Sequence, residues 1–399
     1  MKIQSAALMA LLLIVSSTVP IGAAAATTQQ GEAYVGTHVE FETASDAIVD
    51  YTVNGETMLQ SVQVQSQSTA ESRGDVRAGV GLSAVTELTG AALSLDSQTE
   101  VSATITAESG ATMHAHDNSK GILVVRSGGE SQYVTVNVSS SSQAENEGEK
   151  RVIVTTEDGT KGAFIVVGDG EVTVNEQGDV SANVGSDGTL VFRSYPEGRD
   201  DNDQQEEQLI SEGKAAAEVY VMESSEEGRE LAADVVQYSE DTTVEVTQKT
   251  EGTVTMTAER SQEQGKIIIT SVSEQAISSV ENLQVTVDGE AAAEASSYSE
   301  LESAINNGDS SKFLVRQQSS AQASADVLVA VNHFSTREIT MSEDGSGSDG
   351  SDGTEADGTD GSDGDGDQTT TDGQGPGFGP VVTLIALVAV AALALARRR

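Results

Sequence analysis

The pattern that most constrains this chain is an alternation of apolar and polar residues, repeated in short segments from residue 34 to residue 341. The segments EVSATITA, YVTVNV and GTVTMTAE all follow it. A β-strand points successive side chains to opposite faces, so the alternation is typical of a strand with one buried and one solvated face. Turn-forming pairs separate the segments: Asn54-Gly55, Asp158-Gly159, Asp169-Gly170, Asp187-Gly188 and Asp288-Gly289. Together these features predict about twenty short strands in an all-β, mostly antiparallel, sandwich-like fold.

Two segments depart from this alternation and predict short helices. In SSYSELESAINNG, Ser297 is the expected N-cap and Glu300 its capping-box partner. In DNDQQEEQLISEG, Asp203 or Asn202 is the expected N-cap and Gly213 ends the helix. We expect both helices to pack over the edge or end of a sheet.

Three segments recur in the same order later in the chain. SGATMHA is echoed by GTVTMTA, KGILVV by GKIIIT, and YVTVNV by LQVTVD. Such an echo indicates a duplicated β-unit, although all-β sequences also resemble one another through alternation alone. We therefore expect two β-rich domains, residues 27–199 and residues 200–341, the second carrying the short helices.

The chain is strongly acidic, with 64 Asp and Glu against 21 Lys and Arg and a net charge of −43 at pH 7. This charge is unsuited to nucleic acid, whose phosphates need cationic partners. A folded chain with so much like charge suggests a molar-salt environment, where the Debye length falls to about 3 Å. The alternative is an acidic surface protein from ordinary salt. Cysteine is absent, which excludes disulfides and thiol chemistry.

The N-terminus has the layout of a secretory signal peptide. Lys2 precedes an apolar run at 6–15, and small residues lead to a cleavage position after Ala26. The alternative is an uncleaved anchor helix, but the run is too short to span a bilayer. Residues 1–26 are therefore predicted to direct export.

An acidic segment at 342–373 follows the β-rich region and consists mainly of Gly, Asp, Ser and Thr. It cannot bury a core, so we expect a disordered, extended spacer. Its DGDGD run does not fit an EF-hand loop, because Gln368 and Gln374 stand where glycine and glutamate are required. No defined calcium site is predicted there.

The last segment, residues 374–399, combines GPGFGP, a sixteen-residue run that is apolar except for Thr383, and three arginines. The apolar run at 381–396 predicts a transmembrane helix of about 24 Å, which is shorter than a hydrocarbon core of about 30 Å. The arginines would stay cytoplasmic, which places the body of the protein outside the cell.

This tail resembles the PGF-CTERM tail of haloarchaeal surface proteins. In that family archaeosortase A recognises the tail, removes the helix and leaves the protein attached through a lipid. The resemblance implies that Pro376, Gly377 and Phe378 form the sorting motif, that archaeosortase A is the processing partner, and that the protein stays at the cell surface. The alternative, an ordinary C-terminal membrane anchor, gives the same location.

Two histidines and one asparagine are the candidate binding or modification residues. His114 and His116 share one strand face and could grip a metal with Asp117 nearby, but zinc needs three or four placed ligands. We expect these histidines on a solvated face, with no metal and no other cofactor. Asn137 begins the sequon Asn-Val-Ser, and the alternation directs its side chain to solvent, so it is a glycosylation candidate.

Catalytic signatures are absent from the sequence, which contains no G-x-S-x-G, no H-E-x-x-H, no phosphate-binding loop and no tryptophan. We expect no enzyme. The predicted function is an exported, membrane- or lipid-anchored haloarchaeal surface protein with a structural or interaction role in the envelope, associated with the S-layer. The alternatives are an extracellular ligand-, glycan- or cation-binding module and a surface hydrolase. An aromatic-lined groove would favour binding, and buried carboxylates converging at a cleft would favour hydrolysis.

Overall fold

The computed structural model describes residues 32–77, 79–224, 230–317 and 325–343, and the structural statements below concern these residues. The predicted signal peptide with Ala26, the predicted spacer beyond Glu343 and the whole sorting tail lie outside them.

The described chain is built mainly from short strands. The first group, in chain order, is β1 (Ala33–Val35), β2 (Val39–Thr43), β3 (Ile48–Val53), β4 (Glu56–Ser66), β5 (Leu93–Gln98), β6 (Ser102–Ala107), β7 (Thr112–His116), β8 (Leu123–Arg126), β9 (Gln132–Asn137), β10 (Gln143–Asn146), β11 (Arg151–Thr155), β12 (Lys161–Val167), β13 (Gly170–Val174), β14 (Val180–Val184) and β15 (Thr189–Tyr195). The second group is β16 (Ala215–Glu223), β17 (Leu231–Gln237), β18 (Thr242–Thr250), β19 (Thr253–Arg260), β20 (Gln264–Val272), β21 (Leu283–Val287), β22 (Glu290–Ala291), β23 (Ala293–Glu294), β24 (Lys312–Arg316), β25 (Ala325–His333) and β26 (Thr336–Glu343). The helices are α1 (Gln67–Arg73), α2 (Asp201–Ser211) and α3 (Tyr298–Asn307), and a 3₁₀ turn lies at Leu82–Ala84.

These strands form four sheets, and no sheet mixes the two groups. Sheet 1 has the order β1-β2-β3-β4-β9-β14-β13, and sheet 2 has the order β10-β11-β12-β15-β8-β7-β6-β5. Sheet 3 has the order β17-β16-β20-β25-β24-β23, and sheet 4 has the order β18-β19-β26-β21-β22. Neighbours are antiparallel except for the parallel pairs β16–β20 and β23–β24. The fold is therefore mostly antiparallel and sandwich-like, as the sequence pattern predicts.

Three hydrophobic cores hold the four sheets in one stack. The first lies between sheets 1 and 2 and contains Tyr51, Phe164 and Phe192. The second lies between sheets 2 and 3 and includes residues of α2 and α3. The third joins sheets 3 and 4. Sheets 2 and 3 are thus covered on both faces, and their central strands contain long runs without alternation, as in TLVFRSY of β15.

In the hairpin between β3 and β4, the residues of the turn determine that these two strands pair. Asn54 and Gly55 have φ of 52° and 82°, both in the left-handed region that a two-residue hairpin turn requires. The tight turn places β3 and β4 next to each other in sheet 1.

The predicted helices are present, with two corrections. Ser297 caps α3 by accepting a hydrogen bond from the Glu300 N–H, as expected, but the predicted capping box was wrong, because the Glu300 carboxylate accepts from the Ser296 N–H at 3.1 Å. The cap of α2 is Asp200, so the prediction of Asp203 or Asn202 was wrong. Asp200 accepts from the N–H groups of both of these residues, and Asp203 completes the capping box from the third helical position. Helix α1, whose residues carry no apolar periodicity, was not predicted.

The sequence echo is not reproduced in the sheet topology. Strands β7 and β8 pair with each other in sheet 2. The echoing strands β19 and β20 lie in different sheets. The division into domains at residues 199 and 200 stays a prediction; α2 lies just after it and contributes to the core between sheets 2 and 3.

Candidate functional site

A cluster of charged side chains lies inside the contact between sheets 2 and 3. We call it the ionic joint, and its members are Lys120, Arg193, Asp203, Glu206, Glu218 and Asp326. Lys120 and Arg193 come from sheet 2 and its loops, Asp203 and Glu206 from α2, and Glu218 and Asp326 from sheet 3. The joint therefore connects three separate parts of the fold.

Arg193 is the centre of the ionic joint and is fully buried. Its Nη2 lies 3.0 Å from Glu206 Oε2 and 3.0 Å from Glu218 Oε1. Because β15 alternates faces, Phe192 points into the first core while Arg193 points toward sheet 3. One guanidinium thus joins a helix carboxylate to a strand carboxylate.

Glu218 is fully buried and is surrounded by groups that stabilise its charge. Tyr220 donates to Oε1 at 2.5 Å, and Tyr238 donates to Oε2. Burial alone would raise the pKa of Glu218, but Arg193, Lys120 and the two tyrosine hydroxyls outweigh it and the pKa is lowered. The pKa values of Tyr220 and Tyr238 are raised well above their ordinary value by burial and by the Glu218 charge, so both remain donors.

The pKa of Glu206 is raised, whereas that of Glu218 is lowered, although Glu206 is 1% exposed and almost as buried as Glu218. Burial is the largest cause that raises its pKa, and the charges of Asp326 and Glu218 act in the same direction. Lys120 and Arg193 lower the pKa but do not compensate, and the result is a pKa of about 7. Two neighbouring carboxyl groups therefore titrate in different pH ranges.

Lys120 connects the ionic joint to a small cleft at the protein surface. Its Nζ lies 3.3 Å from Glu206 Oε2 and 3.4 Å from Asp203 Oδ1. Burial and Arg193 lower the pKa of Lys120, but the facing carboxylates raise it further, so the amine is charged. The cleft has a volume of about 60 Å³, and Lys120, Asp203 and Asp326 contribute to its lining.

A second ion cluster surrounds Glu207, the next residue of α2. Arg199 donates to both carboxylate oxygens, from Nε at 2.6 Å and from Nη2 at 2.5 Å. Arg151 lies 3.2 Å from Oε2, and the Tyr195 hydroxyl donates to Oε1 at 2.7 Å. Glu207 thus has two cations of its own and fastens α2 to sheet 2.

The predicted candidate residues His114 and His116 lie on β7, and the expectation of a solvated face was wrong for His116. His116 is buried, and its Nδ1 lies 2.8 Å from Asp234 Oδ1 in sheet 3. His114 is half-buried and faces Thr104 Oγ1 at 3.3 Å. The cause is the stacking of sheet 3 on this end of sheet 2, which sequence alternation could not reveal.

Asp117, the suggested third metal ligand, is turned away from the histidines. Its carboxylate accepts hydrogen bonds from the backbone N–H groups of Thr37, His38 and Val39 at 2.6–2.7 Å. Within the described ranges, no group of three or more His, Asp or Glu side chains is arranged to hold a metal ion. The buried pair of His116 and Asp234 instead adds a further contact between sheets 2 and 3.

Asn137, the glycosylation candidate, is exposed at the end of β9. Its side chain is exposed, as predicted, but the expected alternation of β9 was wrong, because residues 132–136 are all buried and Thr135, on the same face as Asn137, is buried too. Glycosylation itself stays a prediction.

The ionic joint was missed by sequence reasoning, although a signal for it exists. Arg193 interrupts the apolar run TLVFRSY, and Glu218 interrupts AAAEVYVME. A strand without alternation is buried on both faces, so a charged residue within it must find a buried partner. Pairing such residues of opposite sign would have identified Arg193 and Glu218 as partners.

Residues 375–399 match the PGF-CTERM motif. This motif marks proteins that are exported and anchored at the cell surface after processing by an archaeosortase. The chain is a cell-surface protein. Pro376, Gly377 and Phe378 lie within the matched segment, although outside the described residues. In the described part of this surface protein, no helix is long and apolar enough to cross a membrane, and the helix expected at 381–396 lies beyond it.

No curated protein matches the chain of this surface protein. Among solved structures, the crystal structure of an Aspergillus nidulans amine oxidase aligns with 9% identity over 82% of this chain and 55% of the oxidase chain. The aligned region thus spans about half the length of the oxidase. The TM-score is 0.11, which supports no inference about fold or chemistry.

Proposed function

We propose that the body of this surface protein is a rigid structural or interaction module of a haloarchaeal cell envelope, associated with the S-layer, and that it is neither an enzyme nor a cofactor-binding protein. The observation that carries the proposal is the continuous stack of four sheets, whose middle contact is locked by the ionic joint. Arg193, Glu206 and Glu218 tie sheet 2, α2 and sheet 3 together at 3.0 Å. A body held in this way resists bending, which suits a protein that carries a binding surface or a lattice contact.

The surface of the body supports the same proposal. Among the described residues, the exposed large hydrophobic side chains are Val35 and Val80. Together with a net charge of −43, this gives a surface that is suited to molar salt and to polar contacts with other envelope components. We include glycosylation at Asn137 in the proposal, because an exported protein presents this exposed sequon outside the cell.

The alternative function of a surface hydrolase must be compared with the ionic joint. The joint contains neighbouring carboxylates whose pKa values shift in opposite directions, as in some enzymes that use paired carboxylates. Catalytic carboxylates must reach the substrate within hydrogen-bond distance. Glu206 and Glu218 are 1% and 0% exposed, and Arg193 lies between them. The cleft beside them, at about 60 Å³, has room for a few waters rather than a sugar or peptide. This geometry favours a structural role for both residues.

A ligand-binding role has one observation in its favour. A groove of about 700 Å³ runs between the sheet pairs and is lined partly by His38, Ser119, Glu223, Ser271 and Glu274. Its volume is within the usual range for ligand sites. The hydroxyl and carboxylate groups among these lining residues would suit a polar ligand such as a glycan, and Val221, Met222 and Val272 add apolar surface.

Surface crosslinking on intact cells tests the proposal. A membrane-impermeant, amine-reactive crosslinker can reach Lys161 and Lys249, which are exposed on β12 and β18. We expect crosslinks from these lysines to other envelope proteins or to further copies of the chain, lost at each site in Lys161→Gln and Lys249→Gln. Recovery of the chain without any crosslinked protein would contradict the proposal. Binding of purified cell-surface glycan, abolished by Glu274→Gln, would favour the ligand-binding alternative.

A further inference from the structure

The charges of the ionic joint do not balance. Three carboxylates, the buried Glu206 and Glu218 and the largely buried Asp203, share ion pairs with two buried cations, Lys120 and Arg193. Like charges that are crowded in a dry site cannot all remain ionised. One carboxyl group of the joint is therefore the natural site for an additional proton.

Glu206 is the member best placed to take this proton. Its Oε2 already accepts from Arg193 at 3.0 Å and from Lys120 at 3.3 Å. Among the described residues its Oε1 has no hydrogen-bond partner. Oε1 can therefore be protonated without loss of the two contacts at Oε2. Glu218, by comparison, accepts hydrogen bonds at both of its oxygens.

All the elements packed around Glu206 contribute charged or titratable groups. Sheet 2 and its loops contribute Lys120, Arg193 and Tyr195. Sheet 3 contributes Glu218, Tyr220 and Asp326, and Tyr238 follows its strand β17. Helix α2 itself contributes Asp203, and α3 contributes Tyr298. Arg316, opposite Asp326 on β24, holds its guanidinium over the Tyr298 ring at 5.1 Å from the centroid. The tyrosine pKa values are all raised, so these hydroxyls do not titrate near neutral pH.

We propose that Glu206 is a proton-binding site and that its proton strengthens the contact between sheets 2 and 3. Lys120, whose Nζ lies 3.3 Å from Glu206 Oε2, lines the surface cleft together with Asp203. Loss of the proton leaves an excess of negative charge around Glu206 and weakens the attachment of α2 to sheet 3. The body of the surface protein is thus pH-sensitive at its middle contact.

The direction of the pH effect follows from proton linkage. The pKa of Glu206 is about 7 in the folded protein and 4.5 when unperturbed. The folded state therefore binds the proton more tightly, and its stabilising effect is complete below pH 4.5. Stability falls as the pH rises toward 7, and the unfolding constant increases about tenfold per pH unit in this range.

His114 acts in the opposite direction, so the experiment must isolate Glu206. Burial, Arg126 and His116 lower the pKa of His114 to about 4, which adds stability as the pH rises from about 4 to 6.5. This contribution is the same in wild type and in Glu206→Gln. The difference between the two proteins therefore reports Glu206 alone.

The test is urea unfolding of the full chain in molar salt from pH 4.5 to 8.5, for wild type and Glu206→Gln. Glutamine imitates the neutral carboxyl group, so we expect the ratio of the two unfolding constants to change by about tenfold per pH unit between pH 5 and 7. Molar salt screens surface charges but not this buried site. A constant ratio across the range would overturn the proposal.

Glu207→Gln is the matched control, since Glu207 is the next residue of α2 and equally buried but has Arg199 and Arg151 as partners. We expect this variant to be less stable than wild type at every pH, and its stability to change with pH between 5 and 7 as steeply as that of wild type.

If Glu206→Gln does not fold, infrared spectroscopy of the wild-type protein tests the proposal. A carbonyl band of a buried carboxylic acid should be present at pH 5.5 and absent at pH 8.5, and its absence at pH 5.5 would overturn the proposal.

Discussion

Replacement of Arg193 by methionine tests whether the ionic joint holds the sheets together. The change removes the cation that lies 3.0 Å from both Glu206 and Glu218. Removing one partner of a buried ion pair costs about 3–5 kcal/mol, because a charge is left buried without compensation. Here Lys120 stays 3.3 Å from Glu206 and 3.9 Å from Glu218, and two tyrosines still donate to Glu218. We therefore expect the lower end of the range, about 3 kcal/mol.

The assay is urea unfolding in molar salt, followed by circular dichroism and by tyrosine fluorescence, which should coincide if the transition is two-state. Arg151→Met is the control, because its ion pair with Glu207 is partly exposed and should cost at most about 1 kcal/mol. The double variant Arg193→Met, Glu218→Gln removes both charges. We expect it to be more stable than the sum of the single effects predicts, by about 1 kcal/mol or more. An Arg193→Met protein as stable as the Arg151→Met control, or strictly additive costs, would refute the reasoning.

Three further predictions concern the helix cap, the processed chain and the salt requirement. Asp200→Ala should destabilise the protein by about 1 kcal/mol in the same unfolding assay, because two backbone N–H groups lose their acceptor. The control Asp201→Ala, in the first turn of the helix, should destabilise it less. Equal destabilisation by the two variants would contradict the cap assignment. Intact-mass measurement of the protein from cells should show the loss of residues 381–399, and a retained tail would contradict processing. The same measurement should show added mass from a glycan that disappears in Asn137→Gln. An unmodified Asn137 would contradict glycosylation. The β-sheet circular dichroism signal should be lost when NaCl falls from molar to tens of millimolar, and a fully folded protein at low salt would contradict the halophilic inference.

Much of the fold was predictable because each strand carries its own local signal. Alternation identified half-buried strands such as β6, near one edge of sheet 2, with its pattern of Ala103, Ile105 and Ala107. The Asn54-Gly55 pair marked a hairpin with the expected backbone angles. The cap of α3 at Ser297 was also correct, since capping depends only on residues within four positions of one another.

The contacts between sheets were not predictable in this way. Alternation tells which residues share a face but not which sheet covers that face. The sequence therefore suggested solvent around His116, whereas sheet 3 buries it against Asp234. Arg193 and Glu218 are 25 residues apart and become neighbours only because sheets 2 and 3 stack. The cap of α2 was misplaced because four consecutive Asp or Asn residues, at positions 200–203, offer several equivalent local choices.

The two inner sheets, sheets 2 and 3, are each covered on both faces, so cutting the chain into two halves would uncover one face of each. A chain cut between residues 199 and 200 would expose the apolar face of sheet 2 that contains Val124, Ile165 and Val191. Sheet 3 would expose Ile267, Ile269 and Leu328 in return. Each half would then present a hydrophobic patch with buried charges at its centre, Arg193 on one half and Glu218 on the other. Produced as separate chains, the halves should recognise each other as a heterodimer, with these two residues selecting the partner.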